Sequence, residues 1–436
     1  MSHAVAAEEL AALGGAKSVT APRTAWPYLT DEEIDAVREN LVKGRTDWTY
    51  LCAAPKGGPG GALEERLARE LDVPFVVATA GGGPALHIAC MSVLEMGDEA
   101  IVTPYSWGQT VSCILQAGGV PIFADIDPET LTLDPKSVEA RITPRTKAIV
   151  VVHIGGIPAD LEGLAAVARK HGVALIEDCA QAQGSLYKGR PVGTFGDFGC
   201  FSLGSGKNIA AGECGALVCR TREHFERALL AGMHPARNFA EIQDPERRKW
   251  IDSLIYTYRV NAISAGLAVK QMDRLEEMNG WRRANARGLA ERLAGVPGIR
   301  PQRLPADRDP AWHMITWTFV PEEVPGVTRK QYVKALQAEG VPLGSGYVGT
   351  PIHLRPVFQQ KRTHYGRGYP WAAHPEGERI VYRAGDCPVA EKRCAELDLT
   401  LGGGAWMRDE ALLLDQIAAA FRKVTSQIER VKEIQA

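Results

Sequence analysis

Two residue types that can carry group-transfer chemistry, a carboxylate and a lysine, lie within one short stretch of this sequence. Asp178 follows the apolar run Val173–Glu177, and Lys207 lies 29 positions later, between Gly206 and Asn208. Small residues allow a tight turn there, from which the lysine amine can project into a cleft and form an imine with a carbonyl compound. A solvated surface lysine is the other interpretation that these residues alone leave open.

The Gly-Ser-Gly-Lys segment that ends at Lys207 is similar to a nucleotide-binding loop, but its flanks exclude that interpretation. A phosphate-binding loop requires Gly six residues before the lysine and Ser or Thr directly after it. Phe201 and Asn208 occupy those positions. The G-x-G-x-x-G dinucleotide pattern also fails, because Ile209 replaces its last glycine. Neither nucleotide motif is predicted.

Pyridoxal phosphate (PLP) is a cofactor that needs the residue types found here. A lysine holds its aldehyde as an imine, an acidic group keeps its pyridine nitrogen protonated, and backbone amides with hydroxyl groups bind its phosphate. Lys207 and Asp178 have the types for the first two roles, and Ser202, five residues before the lysine, is a natural phosphate ligand. Together these residues predict a PLP site.

The segments around these residues resemble the signature blocks of the DegT/StrS group of sugar aminotransferases, which are PLP enzymes of the aspartate aminotransferase fold (fold type I). The blocks are IEDCAQAQG, YKGRPVGTFGD, CFSLGSGK and AAGECGALV, in the order that the family has them. The resemblance implies that Lys207 and Asp178 are catalytic, and that Gln181 contacts the O3′ edge of the cofactor. The retained lysine disfavours the dehydratases of this fold, which have His at that position.

Upstream and downstream blocks extend the resemblance to most of the chain. TAGGGPALHIA, from Thr79, resembles the family's phosphate-binding loop and makes Gly82 and Gly83 cofactor ligands. Free N–H groups and the positive end of a helix dipole favour a phosphate there. GDEAIVTPYSWGQT resembles the block whose aromatic residue, here Trp107, stacks on the pyridine ring. Tyr258, in LIYTYRVNAISAGLA, matches a block in which relatives reach the phosphate of the neighbouring subunit.

The sequence departs from the family pattern at four positions. Gly83 and Thr257 replace a Thr and an Asn that contact the phosphate in relatives, Gln183 replaces a His, and Cys214 replaces a Gly. We expect a weaker hold on the phosphate or an unusual acceptor, with amino transfer retained.

The resemblance implies transfer of an amino group from glutamine or glutamate to a keto-sugar or keto-cyclitol, in a homodimer with shared active sites. The aromatic, Pro/Gly-rich region Leu343–Cys394, with Tyr347, His353 and Arg355, resembles the inosose-type aminotransferases of aminoglycoside pathways. Two alternatives stay open at this point. One is another PLP reaction, such as decarboxylation, elimination or C–C bond formation, and the other is a catalytically silent homologue with a binding or regulatory role.

Composition agrees with a globular enzyme and gives no sign of other partner classes. The 436 residues are 45% hydrophobic and 23% charged, with 50 Lys plus Arg against 52 Asp plus Glu. A net charge of −2 without a basic run predicts no nucleic-acid partner. Nine cysteines without a C-x-x-C pair predict free thiols and no metal site. With no signal peptide or long apolar segment, we expect no membrane partner and a cytoplasmic protein.

The elements that must position these side chains are strands that alternate with helices, which predicts an α/β protein with a mostly parallel sheet. The strand candidates are Phe75–Thr79, Ala100–Thr103, Pro121–Ile126, Ala148–His153, Val173–Glu177, Phe198–Leu203 and Ala216–Cys219. Ligands of such sheets lie at the carboxyl ends of the strands. Trp107, Asp178 and Ser202 all lie at or near predicted strand ends, and this predicts one shared site.

We expect three parts of the chain. Residues 1–30 form an N-terminal arm, residues 31–265 form the large PLP-binding domain, and residues 266–436 form a smaller α+β C-terminal domain. One long charged helix at about Ala262–Ala294 leads to the strand and helix candidates of the C-terminal domain, and a terminal helix runs over about Met407–Val431.

Overall fold

Short apolar runs bounded by turn residues become the strands of the protein, as the sequence pattern predicts. The computed structural model describes residues 9–52, 57–253, 256–402, 408 and 410–435. The strands are β1 (Phe75–Thr79), β2 (Glu99–Val102), β3 (Val120–Phe123), β4 (Thr146–Val152), β5 (Ala174–Asp178), β6 (Leu186–Tyr187), β7 (Arg190–Pro191), β8 (Phe198–Ser202), β9 (Gly215–Cys219), β10 (Ile299–Arg300), β11 (Arg308–Asp309), β12 (Ile315–Phe319), β13 (Leu343–Gly344), β14 (Arg362–Thr363), β15 (Gly366–Arg367) and β16 (Asp398–Leu401).

Helices alternate with these strands and cover both faces of the largest sheet. They are α1 (Asp31–Lys43), α2 (Gly58–Leu71), α3 (Gly82–Val93), α4 (Gly108–Gln116), α5 (Pro135–Glu139), α6 (Leu161–His171), α7 (Arg222–Gly232), α8 (Pro235–Glu241), α9 (Pro245–Arg248), α10 (Ala262–Met272), α11 (Leu275–Arg292), α12 (Arg329–Ala338), α13 (Pro356–Gln359), α14 (Pro388–Lys392), α15 (Ala411–Ser426) and α16 (Ile428–Val431). Of the described helices, none is both long and apolar enough to cross a membrane.

The main sheet has seven strands in the order β1-β9-β8-β5-β4-β2-β3. Strand β9 is antiparallel to both of its neighbours, and the pairs from β8 through β5, β4 and β2 to β3 are parallel. Alternate residues of β5 face opposite apolar layers, with Ile176 in one and Leu175 in the other. Burial on both faces is typical of a parallel sheet between helices, and the predicted fold class is confirmed.

The C-terminal part of the chain builds a second, antiparallel sheet, in the order β10-β12-β16-β13. Its core includes side chains of α11, α12 and α15. Leu10 from the N-terminal segment is 1% exposed in the same core, and Ala11 N–H donates to Glu339 Oε1 at 2.8 Å. The boundaries that we drew at residues 30 and 265 stay predictions.

The continuous helix predicted over Ala262–Ala294 is wrong, because the chain forms α10 and α11 with a break at Asp273 and Arg274. Arg274 departs from helical geometry, with φ −111° and ψ 1°. Its guanidinium forms an ion pair with Glu33 at 3.1 Å and lies 5.0 Å from the centroid of Tyr28. These contacts with the N-terminal region are invisible to helix periodicity. The start of the predicted terminal helix, at Met407, falls outside the described residues.

Candidate active site

A cavity of about 650 Å³ opens at the carboxyl edge of the main sheet. It brings together every sequence-predicted site residue except Tyr258, namely Gly82, Gly83, Trp107, Asp178, Gln181, Ser202 and Lys207. The residues lie at the carboxyl ends of β5 and β8 or in the segments that follow β1, β2, β5 and β8. The carboxyl ends of parallel strands lie at the same edge of a sheet, which explains why positions more than a hundred residues apart share one pocket.

Asp178 is the last residue of β5 and is 3% exposed. Burial raises the pKa of its carboxyl, whereas hydrogen bonds to the charged form oppose that effect. Ala180 N–H donates to Oδ1 at 3.0 Å, and Thr110 Oγ1 donates to Oδ2 at 2.8 Å. Since the Thr110 proton is used in this way, Ser106 Oγ donates to Thr110 Oγ1 at 3.0 Å. The carboxylate is prepared to receive a cationic ligand.

Lys207 lies in the turn that follows β8. Its N–H donates to Gly204 O at 2.9 Å, and Ala211 N–H donates back to Leu203 O at 2.9 Å, which closes the loop. Burial lowers the pKa of the Lys207 ammonium, and the charge of Asp178 opposes that effect. A lowered pKa leaves a larger fraction of the amine neutral, and the neutral amine is the nucleophile in imine formation.

The N-terminus of α3 forms a cradle that has room only for glycine. The helix cap, Gly81, supplies no side-chain acceptor, so the first N–H groups of the helix remain available to a ligand. A Cβ atom on Gly82 would lie 2.7 Å from Ser202 Cβ, and one on Gly215 would lie 2.3 Å from the main chain of Gly81. Close packing of β1, β8 and β9 thus places Ser202 beside free backbone N–H groups, which is an arrangement suited to a phosphate.

Gln109 occupies the space that a side chain at position 83 would need. A Cβ atom on Gly83 would lie 1.9 Å from Gln109 Nε2. Gln109 also lines the cavity, and its side chain is exposed. Gly83 replaces a threonine of the family pattern and so lacks its hydroxyl. The side-chain amide of Gln109, in the first turn of α4, lies in the space that this threonine would occupy.

Trp107 and Gln181 both line the cavity, but Trp107 is exposed and Gln181 is buried. Trp107 precedes α4 and is 64% exposed. Gln181 is 3% exposed, and its Oε1 accepts from Gly155 N–H at 2.7 Å. Gln181 also contacts Tyr347, another lining residue, and burial raises the pKa of Tyr347 to about 12.

Tyr258 does not line the cavity. Its hydroxyl forms a hydrogen bond with His87 Nδ1 at 2.9 Å, and its ring stacks on Tyr256 with centroids 5.2 Å apart. The Tyr258 carbonyl accepts from Ala80 N–H at 2.8 Å. In this chain Tyr258 thus binds the backbone just after β1, outside the cavity. A role at the cofactor of a neighbouring subunit stays a prediction.

Two of the residues that depart from the family pattern, Cys214 and Gln183, are buried inside the protein. Cys214 is buried in an apolar core and does not line the cavity, and burial raises the pKa of its thiol to about 12. Gln183 is 2% exposed, and its Nε2 donates to Ala180 O at 3.2 Å and to Ser202 O. The amide thus ties the Asp178 loop to the end of β8, so both substitutions act on the support of the site rather than on its surface.

Sequence reasoning missed several residues at this cavity, of which Thr110, Gln109 and His313 have the clearest chemistry. The first two follow Trp107 by only a few positions, and helical spacing from a predicted site residue could have indicated them. His313 comes from the C-terminal part of the chain. Burial, together with the nearby charges of Lys207 and Arg282, lowers its pKa to about 3, so the imidazole is neutral at physiological pH.

The substrate region predicted from the sequence is only partly at the cavity. Tyr347 lines it, whereas His353 is fully buried, with Nε2 3.0 Å from Glu391 Oε1. Arg355 lies beside the start of α4, where a Cβ atom on Gly108 would be 3.1 Å from its Nη1.

One cluster with metal-binding residue types lies next to the site, at His153, Glu177 and Cys179. His153 Nδ1 accepts from Ala159 N–H at 3.1 Å, so Nε2 carries the proton and donates to Glu177 Oε2 at 3.2 Å. Glu177 also accepts from three backbone N–H groups of the segment 193–196. Hydrogen bonds inside the fold thus already use the lone pairs that a metal would need.

Comparisons with known proteins agree with this geometry. Residues 44–383 match the model of the DegT/DnrJ/EryC1/StrS aminotransferase family. The chain is 33% identical over 421 residues to the L-glutamine:2-deoxy-scyllo-inosose aminotransferase of Streptomyces kanamyceticus, covering 92% of this chain and 93% of that protein. It is 34% identical over 427 residues to the protein of the same name from Streptoalloteichus tenebrarius, covering 95% and 97%.

The fold is similar to that of solved aminotransferases. The aminotransferase from Psychrobacter cryohalolentis superposes with a TM-score of 0.79 at 27% sequence identity, over 94% of this chain and 100% of that chain.

Proposed function

This chain belongs to the DegT/DnrJ/EryC1/StrS aminotransferase family, and from that premise we propose that it moves the amino group of L-glutamine to a keto-cyclitol through PLP held at Lys207. One observation carries the proposal. Lys207 and Asp178 line the same cavity as the glycine-rich N-terminus of α3. The inosose substrate named for the relatives supports the acceptor class.

The residues present fit PLP in type and in charge. Asp178, whose pKa burial raises, would be matched by a protonated pyridine nitrogen, and Lys207 would bind the aldehyde. The N–H groups of Gly82 and Gly83, with Ser202 Oγ and the Gln109 amide, would hold the phosphate. The indole of Trp107 would cover the ring.

PLP when bound supplies an electron sink, which stabilises the negative charge left on the donor carbon as a C–H bond breaks. With the cofactor bound, Lys207 Nζ would accept the proton from that donor carbon and later donate it to the cofactor, and its lowered pKa favours the neutral amine that can accept a proton. The Asp178 carboxylate would stabilise a protonated ring nitrogen. Thr110 and Ala180 favour the ionised form of the carboxylate by donating to both of its oxygens, which opposes the effect of burial.

The test is a two-stage assay with purified, PLP-loaded protein. Glutamine alone should convert the bound cofactor to pyridoxamine phosphate, and a keto-cyclitol such as 2-deoxy-scyllo-inosose should then be aminated and restore the starting colour. Glutamate and a panel of keto-sugars serve as competitors. Formation of a decarboxylated or eliminated product from a single substrate, without pyridoxamine phosphate, would contradict the proposal and favour another PLP reaction.

We also propose that the functional unit is a homodimer with shared active sites. An aromatic cluster at the surface supports this, because Tyr256 is 41% exposed and Tyr365 is 58% exposed. Both lie close enough to Tyr258 to raise its pKa, an effect that adds to that of burial. A second copy that covers these rings would remove apolar area from water. Light scattering should give twice the chain mass, and a monomer that transaminates at full rate would contradict shared sites.

A further inference from the structure

His313 brings to the cavity a polar side chain that the mechanism above does not use. The ring is half-buried and lies just before β12. Its Nδ1 atom lies 3.3 Å from Asn208 Oδ1. Its Nε2 atom has no hydrogen-bond partner among the described residues and is not enclosed. One nitrogen is thus engaged by the protein, and the other is open to the cavity.

A chain of amides determines which nitrogen carries the proton. Arg282 Nη1 can only donate, and it donates to Asn279 Oδ1 at 3.1 Å. Asn208 Nδ2 then donates to that same oxygen at 3.1 Å and to Ala311 O at 3.0 Å, which leaves Asn208 Oδ1 as the atom that faces the imidazole. An amide oxygen can only accept, so His313 Nδ1 carries the proton and Nε2 presents a lone pair.

The surroundings of the ring favour a neutral partner for that lone pair. Arg282 is 2% exposed, its Nη1 donates to an amide oxygen, and it forms no ion pair with a carboxylate among the described residues. Its positive charge acts on His313. A cation that approached Nε2 would be repelled by the charge of Arg282, whereas a hydroxyl group would not. A keto-cyclitol carries several hydroxyl groups.

We propose that His313 Nε2 accepts a hydrogen bond from a hydroxyl group of the keto acceptor, and that Arg282, Asn279 and Asn208 hold the ring in the tautomer that allows it. This inference rests on the amino transfer proposed above and adds a specificity-determining residue to the acceptor step. The three other side chains are positioning residues, since they act through the imidazole.

The tautomer can be measured without turnover. In holoenzyme labelled with ¹⁵N-histidine, the His313 signal, identified by its loss in His313→Gln, should show a protonated Nδ1 and a bare Nε2 at neutral pH. Asn208→Leu should mix the two tautomers, whereas Asn208→Asp, which keeps an acceptor oxygen at this position, should not. A bare Nδ1 in the wild-type protein would overturn the proposal, whatever the activity is.

Kinetics then test the contact with the acceptor. His313→Leu should raise the KM for the keto-cyclitol about tenfold, the size expected for one lost hydrogen bond, while cofactor conversion by glutamine alone keeps its rate. His313→Gln, whose amide oxygen can replace Nε2, should recover most of the loss. His171→Leu, on the surface helix α6, is the matched control. An unchanged acceptor KM in His313→Leu overturns the inference, whereas failure of glutamine conversion in the wild type overturns the proposed function instead.

Discussion

Gln109 and Gly83 provide a stringent test of how this chain holds the cofactor phosphate. A Cβ atom at position 83 would lie 1.9 Å from Gln109 Nε2, so a side chain at 83 and the Gln109 amide compete for one space. Gln109→Ala, which removes both the amide and the carbon that it is attached to, and Gly83→Thr should therefore each weaken PLP binding. The double variant should bind PLP nearly as the wild type does, because the threonine hydroxyl then takes over both the space and the contact.

The expected size follows from one hydrogen bond to a charged group. Such a bond contributes about 1.5–3 kcal/mol, so the Kd of each single variant should rise by about 10- to 150-fold. If the threonine substitutes well, the double variant should lie within about fivefold of the wild type, which makes the two changes strongly non-additive, as is usual for side chains in direct contact.

The assay is titration of the apoprotein with PLP, followed by visible absorbance and checked by equilibrium dialysis. Gln360→Ala, at an exposed glutamine outside the cavity, controls for the loss of a surface glutamine side chain. Additive losses in the double variant would refute the reasoning, because they would mean that the two positions do not share a phosphate contact. A wild-type Kd in Gln109→Ala would refute it as well.

Three further changes test other parts of the structure. Thr110→Val removes a hydrogen bond to Asp178 and should raise the already elevated pKa of that carboxyl further, so that glutamine conversion is lost at a higher pH on acidification. Thr110→Ser keeps the hydroxyl and should leave the pH–rate profile unchanged. Coinciding profiles for the wild type and both variants would contradict this. Arg237→Ala removes the two buried contacts of Arg237 with Glu64, at 2.7 and 2.9 Å, and should lower the free energy of unfolding in urea by about 3–5 kcal/mol. A loss below 1 kcal/mol, roughly that of a surface pair, would contradict this. Cys214→Gly should cost about 1–3 kcal/mol of stability through the space left in the core, with an unchanged Kd for PLP; a changed Kd would place the thiol at the cofactor instead.

Local patterns predicted much of the large sheet because its strands are short apolar runs between turn residues. Phe75–Thr79 matches β1 at both ends, and the other predicted strands of this sheet overlap observed ones. The break between α10 and α11 was not predictable in this way. It depends on contacts of Arg274 with Glu33 and Tyr28, which are more than two hundred residues away in the sequence.

The residues of the site likewise fall into those that local sequence motifs predict and those that depend on tertiary packing. Asp178, Lys207 and Ser202 could be predicted because their chemistry is carried by an ordered motif at strand ends. His313 could not, since it reaches the cavity only through packing of the C-terminal part of the chain against the main sheet. Gln109 was hidden for another reason, because its contact with position 83 depends on the relative placement of α3 and α4.

The central claim is that Lys207 is the residue to which the cofactor is bound. Borohydride reduction of the PLP-loaded protein, followed by proteolysis and mass spectrometry, measures this directly. We predict one pyridoxyl group per chain, on the peptide that contains Lys207, and none in Lys207→Ala. A label on another lysine, or a wild-type protein that stays colourless and unlabelled with excess PLP, would contradict the account.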